Sequence, residues 1–223
     1  MTATGHSTVG IIGAGEVGSQ IARAALAAGY RVVIANRRGP HTLGDLVAEL
    51  GEGATAGTIR EAARSGDFVV VAAPMPRSNT LPVDELAGKV VVDTNNYMAW
   101  RDGPWPEIES GRTSEHELRQ QQLPGAHVVK AFTHIQAPRL LRLARPPGTP
   151  NRHALSVSSD HPEAAALVAA FQDEIGFDTV DSSPLSESWR TWPGQPAWNA
   201  HASQTREQLE RNLAAAVPGP RMG

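Results

Sequence analysis

"VGIIGAGEVGSQIARAALAAGYRVVIANRR", residues 9–38, decides the fold. It opens on an apolar run, passes through GAGEVG at 13–18, continues as an alanine-rich helical segment and closes on a second apolar run. The hexapeptide fits G-x-G-x-x-G. Alone it carries little weight, but here it follows a strand, opens a helix and leads to another strand, the context in which such a turn holds a dinucleotide. Gly13 permits the tight turn, Gly15 lets backbone approach a pyrophosphate, and Gly18 lets helix and strand pack closely. The free amides at the helix start, around Ala14, Glu16 and Val17, face the phosphates, whose charge the helix dipole favours.

The second strand of an NAD site usually ends on Asp or Glu, which accepts from the ribose 2′-hydroxyl. Here it ends on ANRR, residues 35–38, with no carboxylate to repel a 2′-phosphate. Asn36 can donate to that phosphate. One guanidinium of Arg37 and Arg38 can pair with it bidentately while the other stacks on adenine. The spacing does not say which arginine does which, but the pair predicts NADP.

Further apolar runs at 68–73, 90–94 and 127–132 read as strands. VGII, VVIA, FVVVAA and VVVD are continuous rather than alternating, as in strands covered on both faces. Helices are predicted at 16–28, 43–50, 58–65 and 83–86, with Gly29, Gly51 and Gly66 as stops. The alternation predicts an α/β, Rossmann-type, doubly wound and mostly parallel sheet. A loop rich in Pro and Gly follows, then a strand near 153–159, a helix after Pro162 that stops at Gly176, and a strand near 177–183. This unit and a last helix at 203–217 form an appended C-terminal extension. The expected division is an NADP-binding domain at 7–145 and a smaller α/β extension with a Trp-rich loop at 150–217.

Composition narrows the class. A net charge of −3 gives no reason to expect a nucleic-acid partner. Without cysteine there are no disulfides, thiolate nucleophiles or zinc-thiolate sites. No run approaches the ~18 apolar residues of a membrane span. The opening MTATGHST has no apolar signal region. A cytoplasmic protein with no membrane partner and no metal is expected.

The reactive end of the cofactor is expected at the carboxyl ends of the later strands. Ala73, Pro74 and Met75 end the third run, with Pro74 and Pro76 stiffening a floor for the nicotinamide. Asn95 and Asn96 end the fourth, where they can hydrogen-bond the carboxamide or an acceptor, or merely cap a turn. Lys130 ends the fifth, as a cofactor contact or a surface charge. His134, just beyond, is either a structural histidine or a proton donor to the acceptor. On the second reading His134→Ala lowers turnover without weakening NADPH. All five tryptophans fall in two loop-like segments, as a pocket lining, a subunit interface or a local plug over the sheet edge.

IIGAGEVGSQIA, VVIANRR, VVVAAP, VVVDTNN and VVKAF, in this order, resemble the coenzyme F420-dependent NADP oxidoreductases across residues 8–183. The resemblance implies hydride transfer between NADP and an 8-hydroxy-5-deazaflavin, and a homodimer. It places pyrophosphate on the 13–18 turn, the 2′-phosphate on Asn36, Arg37 and Arg38, and the nicotinamide ribose beside Ala73 and Pro74. Two positions depart from the family pattern: Thr133 and His134 follow KAF where Asn is usual, and TNNYMAWRDG replaces a Thr-Asn-Pro turn. Both fall on the acceptor side. The expected function is hydride transfer between NADPH and a flat, deazaflavin-like small-molecule acceptor, with coenzyme F420 as a second cofactor. The alternatives are reduction of a flavin, imine or quinone, and a non-catalytic NADP sensor.

Overall fold

Continuous apolar strands need cover on both faces, and the chain supplies it. The computed structural model describes residues 7–75, 80–198 and 202–219. The strands are β1 (Thr8–Ile12), β2 (Arg31–Ala35), β3 (Ala54–Gly57), β4 (Phe68–Val71), β5 (Val90–Asp93), β6 (His127–Lys130), β7 (Ala154–Ser159) and β8 (Asp178–Asp181). They form one sheet in the order β3-β2-β1-β4-β5-β6-β7-β8. Every pairing is parallel except β6 with β7. This is the doubly wound α/β fold expected from the opening stretch.

The helices are α1 (Glu16–Ala27), α2 (Gly44–Leu50), α3 (Ile59–Ser65), α4 (Val83–Leu86), α5 (Ala99–Asp102), α6 (Pro106–Glu109), α7 (Glu115–Gln122), α8 (Leu140–Leu143), α9 (Pro162–Glu174) and α10 (Arg206–Ala214). Thr58, Ser114 and Thr205 each start a helix with a reciprocal capping box. Each box satisfies orphan amides that would otherwise fray the first turn.

One apolar layer joins α1 to α9. Ile21 and Ala25 of α1, Ile11 and Val70 of the sheet, and Val168 and Phe171 of α9 share a cluster. The Phe171 ring meets Phe68 and Tyr30 edge-on at centroid distances of 5.1 and 5.4 Å. The opposite layer packs Ala62 and Ala63 of α3 and Leu86 of α4 against Val69, Val71 and Val91. There α3 lies so close to β1 that a Cβ on Gly10 would sit 2.1 Å from the Ala62 carbonyl oxygen.

The β7–α9–β8 unit continues the same sheet, joined through two antiparallel register pairs, Val129 with Ser159 and Lys130 with Ser158. Among the described residues no helix is long and apolar enough to cross a membrane.

Candidate functional site

β2 and β3 lie to one side of β1 and β4 to the other, so the chain reverses direction across the sheet between β1 and β4. Ligands of such sheets bind outside the carboxyl ends of the strands at this switch point. The turns after β1, β2, β4, β5 and β6 lie along that edge, and they carry the predicted residues.

The three glycines of the first turn do different work. Gly13 has φ 118°, and a Cβ there would lie 2.2 Å from the Ala72 carbonyl oxygen. A Cβ on Gly18 would lie 1.8 Å from the Gly13 carbonyl oxygen. Both positions are closed by the fold itself. Gly15 is different: it is exposed, extended at φ −83° and ψ −165°, and has open space where a Cβ would go. It precedes α1, whose first turn has no side-chain cap. Those amides are open to an anion. Ala14 and Val17 pack partly into the core, and Glu16 is exposed in the first turn. Gly15→Val is expected to leave thermal stability nearly unchanged but to weaken dinucleotide binding by about 30-fold or more, because the side chain occupies the space of the phosphates. Gly18→Ala is expected to lower stability by about 1–3 kcal/mol through overpacking. Thermal melts and calorimetric titration of both variants check the pair.

After β2, the Asn36 amide is braced. Its Oδ1 accepts from the Arg38 backbone N–H at 2.8 Å, and its Nδ2 donates to Thr42 Oγ1 at 2.9 Å. Asn36 therefore shapes the loop that presents the two arginines. Arg37 and Arg38 are exposed, and among the described residues neither guanidinium makes a hydrogen bond or ion pair.

After β4, Ala73 is half-buried and Pro74 exposed. Met75 is 4% exposed, packed into a cluster with Tyr97, Trp105, Ile108 and Trp192. Pro76 lies outside the described residues. The same cluster places Trp105 and Trp192 as a plug at this edge, while Trp100 stands 82% exposed on α5.

After β5, Asp93 is buried in an ion pair with Arg119 at 2.8 Å, and its other oxygen accepts from the Asn95 backbone N–H at 2.9 Å. Asn95 Oδ1 accepts from Arg101 Nη2 at 3.1 Å, and Asn96 Nδ2 donates to the Thr133 carbonyl oxygen at 2.6 Å. Three buried polar atoms here have no hydrogen-bond partner: Asn95 Nδ2, Asn96 Oδ1 and Thr133 Oγ1. Each costs about 1–3 kcal/mol while unpaired. Such a concentration at one strand edge calls for a partner, an ordered water or a polar ligand group. Thr133 follows Phe132, a buried non-glycine residue at φ 61°. A left-handed phenylalanine at a strand end is the kind of strain that collects at functional sites.

Two predicted site residues are corrected. Lys130 is 1% exposed, and its ammonium donates to the Ser188 carbonyl and Thr191 Oγ1. It ties the 3-10 segment Leu185–Thr191 to β6 rather than facing a cofactor. His134 is wholly buried. Its Nε2 accepts from the Ser156 backbone N–H at 3.0 Å, and the Gln204 amide lies 3.4 Å from Nδ1. An amide donor on Nε2 fixes a lone pair there. Burial, then the nearby Lys130 ammonium and His153, push the ring's pKa down to about 3. A shut-away neutral imidazole is a structural histidine, not a proton donor to an acceptor.

Sequence reasoning missed Arg101 and Arg119, which act through contacts that depend on the folded chain.

Residues 8–97 match the family model described as NADP oxidoreductase, coenzyme F420-dependent. The Escherichia coli (strain K12) protein YjhV is 38% identical over 83 residues, which are 37% of this chain and 57% of that protein. The hypothetical protein SMa0349 from Sinorhizobium meliloti superposes with a TM-score of 0.73 at 27% identity, covering 92% of this chain and 98% of that one. A protein from Arthrobacter sp. FB24, provisionally named an F420-dependent NADP reductase, gives a TM-score of 0.68 at 23% identity over 82% and 87% of the two chains. At that identity the likeness speaks to the fold alone.

Proposed function

From the match of residues 8–97 to the F420-dependent NADP oxidoreductase family, we propose that the chain is an NADP-dependent oxidoreductase passing hydride between NADPH and a flat, deazaflavin-like acceptor. One observation carries the cofactor half: two uncommitted guanidiniums, Arg37 and Arg38, stand directly after β2, beside the glycine turn and with no carboxylate between them. An exposed arginine pair held on a braced loop suits a 2′-phosphate. The open space at Gly15 suits a pyrophosphate.

When bound, NADPH supplies the hydride. The chain's part is to orient and to shield. Ala73, Pro74, Asn95, Asn96 and Thr133 surround the strand ends where the ring would lie, and none of them titrates near neutral pH. Such a site favours a reaction that needs alignment at about 3–3.5 Å rather than a protein acid or base. Hydride transfer to a ring carbon, with the accompanying proton drawn from water, is such a reaction. The engagement of His134 with Ser156 and its burial are consistent with a reaction that uses no imidazole at this edge.

The test mixes purified protein with NADPH and oxidised 8-hydroxy-5-deazaflavin and follows the absorbance of both. Coupled loss of both bands is the expected result. Turnover only with a flavin, imine or quinone would move the acceptor. Tight NADPH binding with no turnover across that panel would leave a sensor.

A further inference from the structure

The two asparagines after β5 are held with opposite polarity. Asn95 turns its oxygen to Arg101, which leaves its Nδ2 as a donor without a partner. Asn96 turns its Nδ2 to the Thr133 carbonyl, which leaves its Oδ1 as an acceptor without a partner. Neither amide can be flipped, because a guanidinium has only donors and a carbonyl has only acceptors. The neighbouring Thr133 Oγ1 is buried and unpartnered too, and a hydroxyl can serve either role. Asn95 is 5% exposed and Thr133 2%.

We propose that Asn95 and Asn96 form an amide-reading pair: Asn95 Nδ2 donates to the carbonyl, and Asn96 Oδ1 accepts from the adjacent N–H, of a planar amide edge, the nicotinamide carboxamide. This deepens the dinucleotide reading above and rests on it. A primary amide presents one C=O and one NH2 side by side, the complement of the free donor and acceptor. The pair follows β5, across the switch point from Arg37 and Arg38, in the half of the edge left to the nicotinamide once those arginines hold the adenosine end.

The orientation is built before a ligand arrives. Arg101 is gripped by both oxygens of Asp102 at 2.7 and 2.8 Å, and also donates to the Asn96 carbonyl at 2.7 Å. Asp102 in turn accepts from the Met98 backbone N–H at 2.9 Å. The backbone of Asn95 is fixed by Asp93, itself held by Arg119. Pre-set donors and acceptors of this kind discriminate strongly against a ligand lacking the matching group.

The imide edge of a pyrimidinedione acceptor, such as a deazaflavin, carries the same C=O and N–H neighbours. The experiment therefore separates the two sources. Calorimetry compares wild type with Asn95→Asp, which keeps the shape and the Arg101 contact but replaces the donor by an acceptor. NADP+ is expected to bind Asn95→Asp at least about tenfold more weakly. Adenosine 2′,5′-bisphosphate, which lacks the nicotinamide, is expected to stay within about twofold. The 3-acetylpyridine analogue of NADP+, with methyl for NH2, is expected to bind wild type about tenfold more weakly than NADP+. If NADP+ is unaffected while oxidised deazaflavin binds at least about tenfold more weakly, the nicotinamide assignment is overturned and the pair reads the acceptor's imide edge instead. If every ligand stays within about twofold, the pair is overturned. Should Asn95→Asp not fold, wild type decides. Equal binding of the acetylpyridine analogue and NADP+, together with equal binding of an N3-methylated deazaflavin and its parent, would overturn it. No binding of the bisphosphate to wild type would instead remove the cofactor reading, a separate failure.

Discussion

Replacing Arg37 and Arg38 together by alanine is expected to weaken NADPH binding by about 100- to 1,000-fold. Charge-assisted hydrogen bonds contribute about 1.5–3 kcal/mol each, and about 1.4 kcal/mol is tenfold in affinity. Two such bonds to a 2′-phosphate come to about 3–6 kcal/mol, and because both guanidiniums are solvent-screened the expected loss sits at the lower end of that span. NADH has no 2′-phosphate and is expected to lose tenfold at most, the share of a guanidinium stacked on adenine. The single variants assign the roles. The arginine that pairs with phosphate affects NADPH alone, and the one that stacks affects both cofactors. Both guanidiniums are exposed, so the NADPH preference should shrink as salt rises. It should shrink again below about pH 6, where the phosphate gains its second proton. Equal loss of NADPH and NADH in the double variant would sink the assignment.

The parts of this site that are contiguous in sequence were legible there; the parts assembled from distant segments were not. The glycine turn needs six neighbouring residues and two flanking apolar runs, so its place between β1 and α1 followed directly. β4, β5 and β6 announced themselves as unbroken valine-rich runs because both of their faces are covered. β3, in contrast, is ATAG, four small residues with no periodicity to detect. The antiparallel direction of β7 rests on two register pairs, which no residue pattern specifies.

Lys130 and His134 show why the acceptor side misled. Both follow a strand that ends where chemistry is expected, and both are residue types that do chemistry. Their partners, however, arrive from far along the chain: Ser188 and Thr191 for the lysine, Ser156 and Gln204 for the histidine. Those segments close over the β6 side and take both side chains into the interior. What then remains at the edge is Asn95, Asn96 and Thr133, polar groups whose readiness is visible only as missing partners.

The same burial makes the fold sensitive to acid. His134 and His153 both accept backbone N–H groups, from Ser156 at 3.0 Å and from Gln204 at 3.1 Å. Protonation would set donor against donor inside the protein. Burial first, with the Lys130 ammonium and His153 following, holds His134 at about 3. Burial, with Arg139 following, holds His153 at about 4. In the unfolded chain both titrate near 6.5. Protons therefore prefer the unfolded chain between those values. Stability is complete above about pH 6.5 and drains as pH falls toward the folded-state values. From pH 7 to pH 5 each ring is expected to cost about 2 kcal/mol, or about 4 kcal/mol together, a large part of the ~5–15 kcal/mol typical of a domain. This window lies above the range where Glu61, Glu85 and Glu207, whose pKa values are lowered by their hydrogen bonds, add their own acid sensitivity. Urea unfolding at pH 7, 6 and 5 measures the slope. His134→Gln keeps an acceptor near the Ser156 amide and does not titrate, so it should roughly halve the slope whatever it does to stability at pH 7. An unfolding free energy that stays flat from pH 7 to pH 5 would mean that both rings remain open to solvent. His134 would then return to the strand edge as a candidate proton donor.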